Sequence, residues 1–166
     1  MIGLLQRITD ARIEVNGETI EAAGAGLLVL VGVQRGDSEV QAARLLERLL
    51  SFRVFPDADD KMNLDLREVG GGLLLIPQFT LAADTSKGSR PSFTSAAPQE
   101  ASKALFDYLV QQARAVHDPV GTGQFGAHMF VSLTNDGPVT FWLEVPPSES
   151  EKQESHASEL PQHSQG

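Results

Sequence analysis

Apolar and polar residues alternate along the first part of the chain in a pattern that predicts β-strands. Residues 1–9 and 11–15 both show this pattern. Asn16-Gly17 follows them, and because both residue types tolerate positive φ, the pair predicts a hairpin turn. Residues 18–22 are then expected to form the returning strand.

Continuous apolar runs mark a second kind of strand. Residues 27–33 and 73–76 contain almost only Leu, Val and Ile, which is typical of strands buried on both faces. Gly70-Gly71-Gly72 precedes the second run and indicates a flexible entry into it. Three further short strands are predicted at residues 52–55, 129–133 and 139–145, the last two on either side of Gly137-Pro138.

Two segments repeat apolar residues at the spacing of an amphipathic helix. The first begins after Ser38, which with Gln41 fits a capping box, and extends to about Ser51. The second begins at Pro98, a residue suited to the first turn of a helix, and extends to about Val116. The apolar positions are Ala42, Leu45, Leu46 and Leu49 in the first helix, and Ala101, Ala104, Leu105 and Tyr108 in the second.

This count gives two helices and seven or eight strands. Two helices are too few to cover both faces of a large parallel sheet. The pattern therefore predicts an α/β fold with a mixed or antiparallel β core, barrel-like or two-layered, and both helices packed on one side. Residues 1–146 are expected to form one domain. Residues 147–166, rich in Ser, Glu, Gln and His, are expected to be a disordered acidic tail.

Composition narrows the possible functions. The chain contains no run of 18 apolar residues, so no membrane span is predicted, and its first residues do not resemble a signal peptide. The absence of cysteine excludes disulfides, thiolate metal sites and a cysteine nucleophile, and it fits a cytoplasmic protein. A net charge of −9 argues against DNA and against broad non-specific binding of nucleic acid, although a local basic patch can still bind RNA.

Common catalytic motifs are missing from the chain. Four histidines, His117, His128, His156 and His163, show no metal-binding spacing, so no metal is expected. There is no GxSxG segment, and Gly70-Gly71-Gly72 is not followed by the Lys-Ser/Thr of a phosphate loop. Residues 121–126 contain a GxGxxG string outside a βα unit, which favours a backbone turn or a wall packed against another segment.

Two segments have both a structural and a functional interpretation. Thr80 follows a buried strand and can act as a nucleophile only with an adjacent base, for which His128 is the candidate; otherwise it satisfies local backbone groups. Gly137-Pro138 fits an ordinary hairpin turn. If the bond is cis, as only about 5–6% of such bonds are, its carbonyls form a stiff polar wall.

A series of motifs in a fixed order identifies a family. They are Leu5-Gln6-Arg7, residues 26–33, Lys61-Met62-Asn63, Gln78-Phe79-Thr80-Leu81, Ala83-Asp84-Thr85, residues 88–93, residues 122–129 and Asn135-Asp136-Gly137-Pro138-Val139-Thr140. With them the chain resembles the bacterial-type D-aminoacyl-tRNA deacylases over nearly all of residues 1–145.

The resemblance implies a specific activity. These enzymes hydrolyse the ester of D-aminoacyl-tRNA, and of glycyl-tRNA mischarged on tRNA-Ala, without a cofactor. It also implies a homodimer with the active site at the subunit interface. Gly137-Pro138 is expected to be cis and to enter the partner's pocket, where its carbonyls exclude the side chain of an L-amino acid.

The resemblance also implies roles for individual residues. Backbone N–H groups of the catalytic segment are expected to stabilise the oxyanion, with help from the 2′-hydroxyl of the substrate. Thr80 as a covalent nucleophile is the minority alternative. The catalytic residues are Gln78, Phe79 and Thr80, the pocket and chiral gate comprise Phe125, Met129, Asn135, Gly137 and Pro138, and Lys87 and Arg90 meet phosphates of the tRNA acceptor end.

One residue departs from the family pattern. Pro77 stands where the family has serine, and proline supplies neither a hydroxyl nor a backbone N–H. A related animal group also has proline here, together with looser chirality. Two alternatives therefore stay open, a deacylase of relaxed chirality and a tRNA-binding module that does not catalyse.

Overall fold

A six-stranded sheet forms the centre of the protein in a computed structural model that describes residues 1–147. The elements in chain order are β1 (Ile2–Val15), β2 (Glu18–Ala23), β3 (Gly26–Gly32), α1 (Glu39–Ser51), β4 (Phe55–Pro56), β5 (Met62–Leu64), α2 (Leu66–Val69), β6 (Gly72–Pro77), a 3₁₀ turn (Phe79–Ala82), α3 (Gln99–Val116), β7 (Val120–Thr122) and β8 (Phe130–Glu144).

The sheet is mixed and nearly closed. β1 pairs antiparallel with β2, β3 and β8, while β3, β6 and β7 are parallel neighbours. In the strand order β2-β1-β3-β6-β7, the first and last strands are in contact, because Glu21 Oε2 on β2 accepts the Thr122 N–H of β7 at 3.4 Å. A side chain therefore links the two ends of the sheet, and the predicted mixed, barrel-like core is confirmed.

Apolar side chains fill both faces of the central strands. On one face, Leu27 and Leu73 pack with α1 and α3 in the larger core. On the other face, Leu28 and Leu74 pack with Ile8 in a second cluster inside the curved sheet. The continuous apolar runs thus form strands buried on both faces, as predicted.

The two predicted helices are present, and they pack against each other. Ser38 caps α1 with Gln41 in the expected capping box. The prediction of two helices was incomplete, because α2 and the 3₁₀ turn add to them. α2 has its own capping box, Asp65 with Glu68, and ends at Gly70 in the left-handed region. That D-x-x-E signal was present in the sequence.

Three strand predictions were wrong in their boundaries. Residues 1–9 and 11–15 form the single strand β1, which continues through the predicted break. Of residues 52–55, only Phe55 joins a strand, β4. Residues 129–133 and 139–145 are not two strands around a hairpin turn, because β8 is one strand that pairs with β1 along its length. The hairpin predicted at Asn16-Gly17 is confirmed, with φ of 52° and 79°.

Within residues 1–147, no helix is both long and apolar enough to cross a bilayer. The predicted disordered tail falls, apart from Pro147, on residues 148–166, which lie outside the described part of the chain.

Candidate active site

The end of β6 places the predicted catalytic segment on the protein surface. After Pro77 the chain leaves the sheet, and Phe79–Ala82 forms a 3₁₀ turn. Gly32 at the end of β3 makes this packing possible, because a Cβ there would lie 2.9 Å from Leu81 Cβ. Glycine is therefore needed where the turn approaches β3 closely.

Two backbone donors in this segment have no partner. Among residues 1–147, no acceptor meets the N–H of Phe79 or of Thr80. The Gln78 N–H, by contrast, already donates to Val31 O at 2.8 Å. The Gln78 N–H is therefore already engaged in the fold. Phe79 and Thr80 remain as a pair of adjacent donors.

The side chains of Gln78 and Thr80 bond to each other. Gln78 Nε2 donates to Thr80 Oγ1. An amide is not a base, and within the described residues no titratable side chain hydrogen-bonds to Thr80 Oγ1. Within residues 1–147, His128 makes a ring contact with Phe130, at 5.2 Å between centroids, and no hydrogen bond with Thr80. The geometry thus gives Thr80 no activating base, which a hydroxyl nucleophile needs.

The glycine-rich segment between β7 and β8 forms the opposite wall. A Cβ on Gly123 would lie 2.9 Å from Met129 Sδ and 3.2 Å from Pro77 Cδ, so only glycine fits between them. The Gln124 N–H donates to Met129 Sδ at 3.4 Å. Gly126 has φ of 77°, which turns the chain back. The interpretation of this segment as a packed wall, and not a dinucleotide loop, fits these contacts.

A cavity of about 660 Å³ lies between the two walls. It brings together four predicted site residues, namely Gln78, Phe79, Phe125 and Met129. Phe79 is 60% exposed, and its ring centroid lies 5.3 Å from that of Phe93, which is 43% exposed. Exposed aromatic rings at a cavity mouth are suited to stacking on a flat ligand. His128, the candidate base for Thr80, also lines the cavity. The lining residues that sequence reasoning did not assign to the site are Ile76, Pro77, Phe93, Ala96, Ala97, Gln99, Ser102, Gly126, Ala127 and Val131.

The Gly137-Pro138 segment forms a bulge in β8. Gln6 pairs with Thr140 and Ile8 with Asn135, so residues 136–139 stand opposite the single residue Arg7. The Gly137–Pro138 bond is cis. Asn135 closes the base of the bulge, because its Oδ1 accepts the Val139 N–H at 2.7 Å and its Nδ2 donates to Thr140 Oγ1 at 2.8 Å.

Arg7 holds the bulge from the side. Its side chain is 12% exposed; Nε donates to Asp136 O at 3.1 Å and lies 3.2 Å from Asp136 Oδ2. Its Nη1 donates to Val54 O at 2.6 Å. A single guanidinium therefore joins β1, the bulge and the segment before β4. The sequence signal for this role is a charged residue in the middle of a largely buried strand, where it requires partners.

The structure does not bring all the predicted site residues together. In this chain, four of the predicted residues do not line the cavity, namely Thr80, Asn135, Gly137 and Pro138. Lys87 and Arg90 are exposed in the loop after the 3₁₀ turn, and neither of them lines it. In this loop, hydrogen bonds from the side chain and backbone of Ser86 lower the pKa of Asp84, whose Oδ1 accepts the Ser86 N–H at 2.9 Å.

Across the described residues, no group of three or more His, Cys, Asp or Glu side chains is placed to hold a metal ion. The cavity therefore offers backbone donors, aromatic rings and amides. Such a set suits a neutral polar ligand with a flat ring better than a metal.

Residues 4–144 match the model of the family described as D-Tyr-tRNA(Tyr) deacylase, and the chain belongs to this family. A D-aminoacyl-tRNA deacylase of Thioalkalivibrio sulfidiphilus is 65% identical over 147 residues, which are 89% of this chain and 99% of the relative. A D-aminoacyl-tRNA deacylase of Nitrosococcus oceani is 60% identical over 148 residues, 89% of this chain and 96% of that protein.

Two solved structures share the fold. One, named c-Myc DNA Unwinding Element Binding Protein, has a TM-score of 0.85 at 35% identity and covers 88% of this chain and 99% of its own. The other, named a probable eukaryotic D-amino acid tRNA deacylase, has a TM-score of 0.74 at 18% identity and covers 87% of this chain and 98% of its own. At that identity, the second likeness concerns the fold alone.

Proposed function

We propose that this protein hydrolyses the ester of D-aminoacyl-tRNA, and of glycyl-tRNA mischarged on tRNA-Ala, and releases the free amino acid and tRNA. Family membership supports the substrate class. The observation that carries the mechanism is the pair of adjacent unpaired N–H groups on Phe79, which lines the cavity, and on Thr80, which follows it in the 3₁₀ turn. The cytoplasm, where charged tRNA is used, is the proposed location.

The reaction depends on backbone groups. Water attacks the ester carbonyl, and the developing oxyanion accepts hydrogen bonds from Phe79 N–H and Thr80 N–H. The tetrahedral intermediate then collapses, the ester C–O bond breaks, and the terminal ribose oxygen takes up a proton. Because no titratable side chain within residues 1–147 hydrogen-bonds to Thr80, the substrate's own 2′-hydroxyl is the proposed group that orients the water and relays the proton. Gln78 positions Thr80 through its amide.

The chiral gate is proposed to come from a second copy of the chain. Gly137 and Pro138 are exposed and lie outside the cavity of their own protomer, although Arg7 and Asn135 hold their segment firmly. In a homodimer, the bulge enters the partner's cavity. Its carbonyl oxygens there would clash with an L side chain, whereas a D side chain points elsewhere and glycine has none.

The surface of β8 supports the proposed dimer. Phe130 is 63% and Trp142 is 51% exposed, which is unusual for large apolar side chains on one strand. Exposed apolar surface of this kind marks interaction sites. A two-fold interface would bring the same β8 surface of both copies together and place each bulge on the other subunit.

Lys87 and Arg90 are proposed to contact phosphates of the acceptor end. Both are exposed on the loop that begins after the catalytic segment and carries Phe93 into the cavity wall. They provide local positive charge on a chain whose net charge is −9. Because each phosphate contact releases counterions, this part of the binding is expected to weaken as salt increases.

The test compares deacylation of D-tyrosyl-, L-tyrosyl- and glycyl-tRNA by the purified protein. We expect loss of the D and glycyl esters while the L ester survives. Hydrolysis of all three would favour the relaxed enzyme, which Pro77 at the cavity wall motivates. Binding of tRNA without hydrolysis would favour the non-catalytic module and contradict the proposal.

A Thr80→Val variant separates the two mechanisms in the same assay. Valine keeps the backbone N–H and removes the hydroxyl. If the backbone donors carry the reaction, we expect kcat to fall less than roughly tenfold, about the 1.4 kcal/mol of one weak contact. A fall of several orders of magnitude would instead assign the hydroxyl as nucleophile.

A further inference from the structure

A second cavity lies beside the first, on the other side of Phe125. Its volume is about 570 Å³, within the range of roughly 300–1,000 Å³ that ligand sites occupy. It lies between one face of α3 and residues 122–125, a segment that begins at the last residue of β7. Phe125 lines both cavities, so the second is a direct neighbour of the candidate active site. We call it the α3 groove.

The α3 groove has an apolar floor and a polar rim. Phe106 and Val110 form the floor and are buried. On the rim, Lys103 is paired with Asp107 at 2.6 Å, so these two charges offset each other. The remaining rim side chains from α3 are Gln111 and Arg114, and the facing segment adds Gln124.

The side chains of Gln111, Arg114 and Gln124 have no hydrogen-bond or ion-pair partner within residues 1–147. The guanidinium of Arg114 therefore gives this groove a local positive charge on an acidic protein. A guanidinium fork suits a phosphate, and two amides supply the donors and acceptors that a base edge requires. An apolar floor can contact the face of a base.

We propose that the α3 groove binds the nucleotide that precedes the terminal adenosine of the tRNA substrate, with its phosphate at Arg114. The proposal rests on the proposed function: with the ester at the N–H groups of Phe79 and Thr80, the terminal adenosine would lie in the first cavity, where the rings of Phe79 and Phe93 can stack on its base. The next nucleotide of the single strand must then lie outside that cavity, and the neighbouring α3 groove, which shares Phe125 as a lining residue, offers it a positive charge. Unpaired nucleotides are commonly recognised through such combined phosphate, base-edge and base-face contacts.

The experiment measures binding of the trinucleotide CpCpA and of adenosine monophosphate to the intact protein, with Arg114→Ala compared with wild type. Arg44→Ala is the matched control, because Arg44 is also an exposed helical arginine but lines neither cavity. We expect Arg114→Ala to weaken CpCpA binding roughly three- to tenfold, as loss of one exposed charged contact implies, and to leave adenosine monophosphate binding unchanged.

Salt dependence supplies a readout that a merely structural effect would not change. If Arg114 neutralises one phosphate, the slope of log K against log salt for CpCpA should become shallower by about 0.7 in Arg114→Ala. The slope for Arg44→Ala should equal that of wild type. In wild type, the side-chain amide NMR signals of Gln111 and Gln124 should shift with CpCpA and not with adenosine monophosphate.

Three results would overturn the proposal: equal losses for Arg114→Ala and Arg44→Ala, an equal loss for both ligands in Arg114→Ala, or no binding of CpCpA by wild type. The groove and the catalytic proposal can fail separately. Selective loss of CpCpA binding without any ester hydrolysis would retain the groove and reject the activity. Normal ester hydrolysis by wild type, together with unchanged CpCpA binding in Arg114→Ala, would reject the groove and retain the activity.

Discussion

At the scale of single residues, side chains hold backbone groups of the proposed site in place. Asn135 binds the Val139 N–H and Thr140 Oγ1, and it thereby closes the bulge without facing the cavity. Gly137 has φ of +136°, a conformation that residues with a side chain rarely adopt. A Cβ at this position would also lie 2.6 Å from Val139 Cγ2 and 3.0 Å from Val139 N.

The Gly137→Ala variant tests this local requirement. The backbone of the bulge must shift, because both φ and the contact with Val139 oppose a methyl group. We expect a loss of about 1–3 kcal/mol in the free energy of unfolding, as strained backbone costs. We also expect at least roughly a tenfold fall in kcat/KM for D-tyrosyl-tRNA, equivalent to about 1.4 kcal/mol. Chemical denaturation and the deacylation assay measure the two effects.

Gly17→Ala is the matched control. Gly17 also has positive φ, +79°, but nothing lies within 4 Å of an added Cβ, and the position is in the hairpin between β1 and β2. This variant should lose stability and keep full kcat/KM. If Gly137→Ala retains activity and chiral discrimination as Gly17→Ala does, the proposed gate is wrong.

Some of the residues that the sequence pattern assigned to the site lie together in the structure. Gln78, Phe79, Phe125 and Met129 do meet at one cavity, because each lies in a short motif beside a strand end. Phe93 and Ser102 were not assigned to the site, since their place depends on how the loop and α3 fold over it. The commitment of the Gln78 N–H to Val31 O could not be predicted either, because it depends on where the parallel ladder ends.

At the scale of elements, β8 shows how a local signal can mislead. A Gly-Pro pair between two apolar runs is typical of a turn, so the sequence favours two strands. In the structure, β1 is long enough to pair with both runs, and residues 136–139, opposite Arg7 alone, form a bulge in one continuous strand. Bulges of this kind often lie beside functional sites. Only the register on β1, a long-range property, distinguishes the bulge from a hairpin.

Arg7 joins the elements around this bulge, which leads to a prediction for Arg7→Lys. Lysine keeps the charge but cannot donate in a fork to both Asp136 O and Val54 O. We expect a loss of about 1.5–3 kcal/mol in the free energy of unfolding, the usual value of a charged hydrogen bond at a largely buried site. Activity on D-tyrosyl-tRNA should also fall, because the bulge loses its lateral support.

Arg12→Lys provides the comparison on the same strand. Arg12 is largely exposed, and its Nε lies 3.6 Å from Glu14 Oε1, so the change should alter stability by less than about 0.5 kcal/mol. Thermal denaturation and the deacylation assay on Arg7→Lys and Arg12→Lys test this prediction. Equal behaviour of the two variants would mean that Arg7 does not support the bulge.

At the scale of the whole molecule, the barrel is held together where its first and last strands meet. Val145 N–H donates to Met1 O at 2.8 Å, and Arg48 on α1 donates to Glu144 O at 3.0 Å. The Met1 ammonium lies 2.8 Å from Asp37 Oδ1. Burial raises the pKa of Asp37, although this ammonium opposes the shift. The contacts that close the fold therefore extend to Val145, just beyond the 4–144 range of the family model.

These contacts predict different melting temperatures for two truncated chains that differ by only four residues. A chain that ends at Pro147 keeps every contact just described, so its melting temperature and its activity should match those of the full chain. A chain that ends at Leu143 loses the bonds of Glu144 and Val145 and the apolar contact of Val145 with the core. At roughly 2–4 kcal/mol for these losses, its melting temperature should fall by about 4–16 °C, since 1 kcal/mol corresponds to about 2–4 °C at this size. A similar fall in the chain ending at Pro147 would show that residues 148–166 belong to the folded domain.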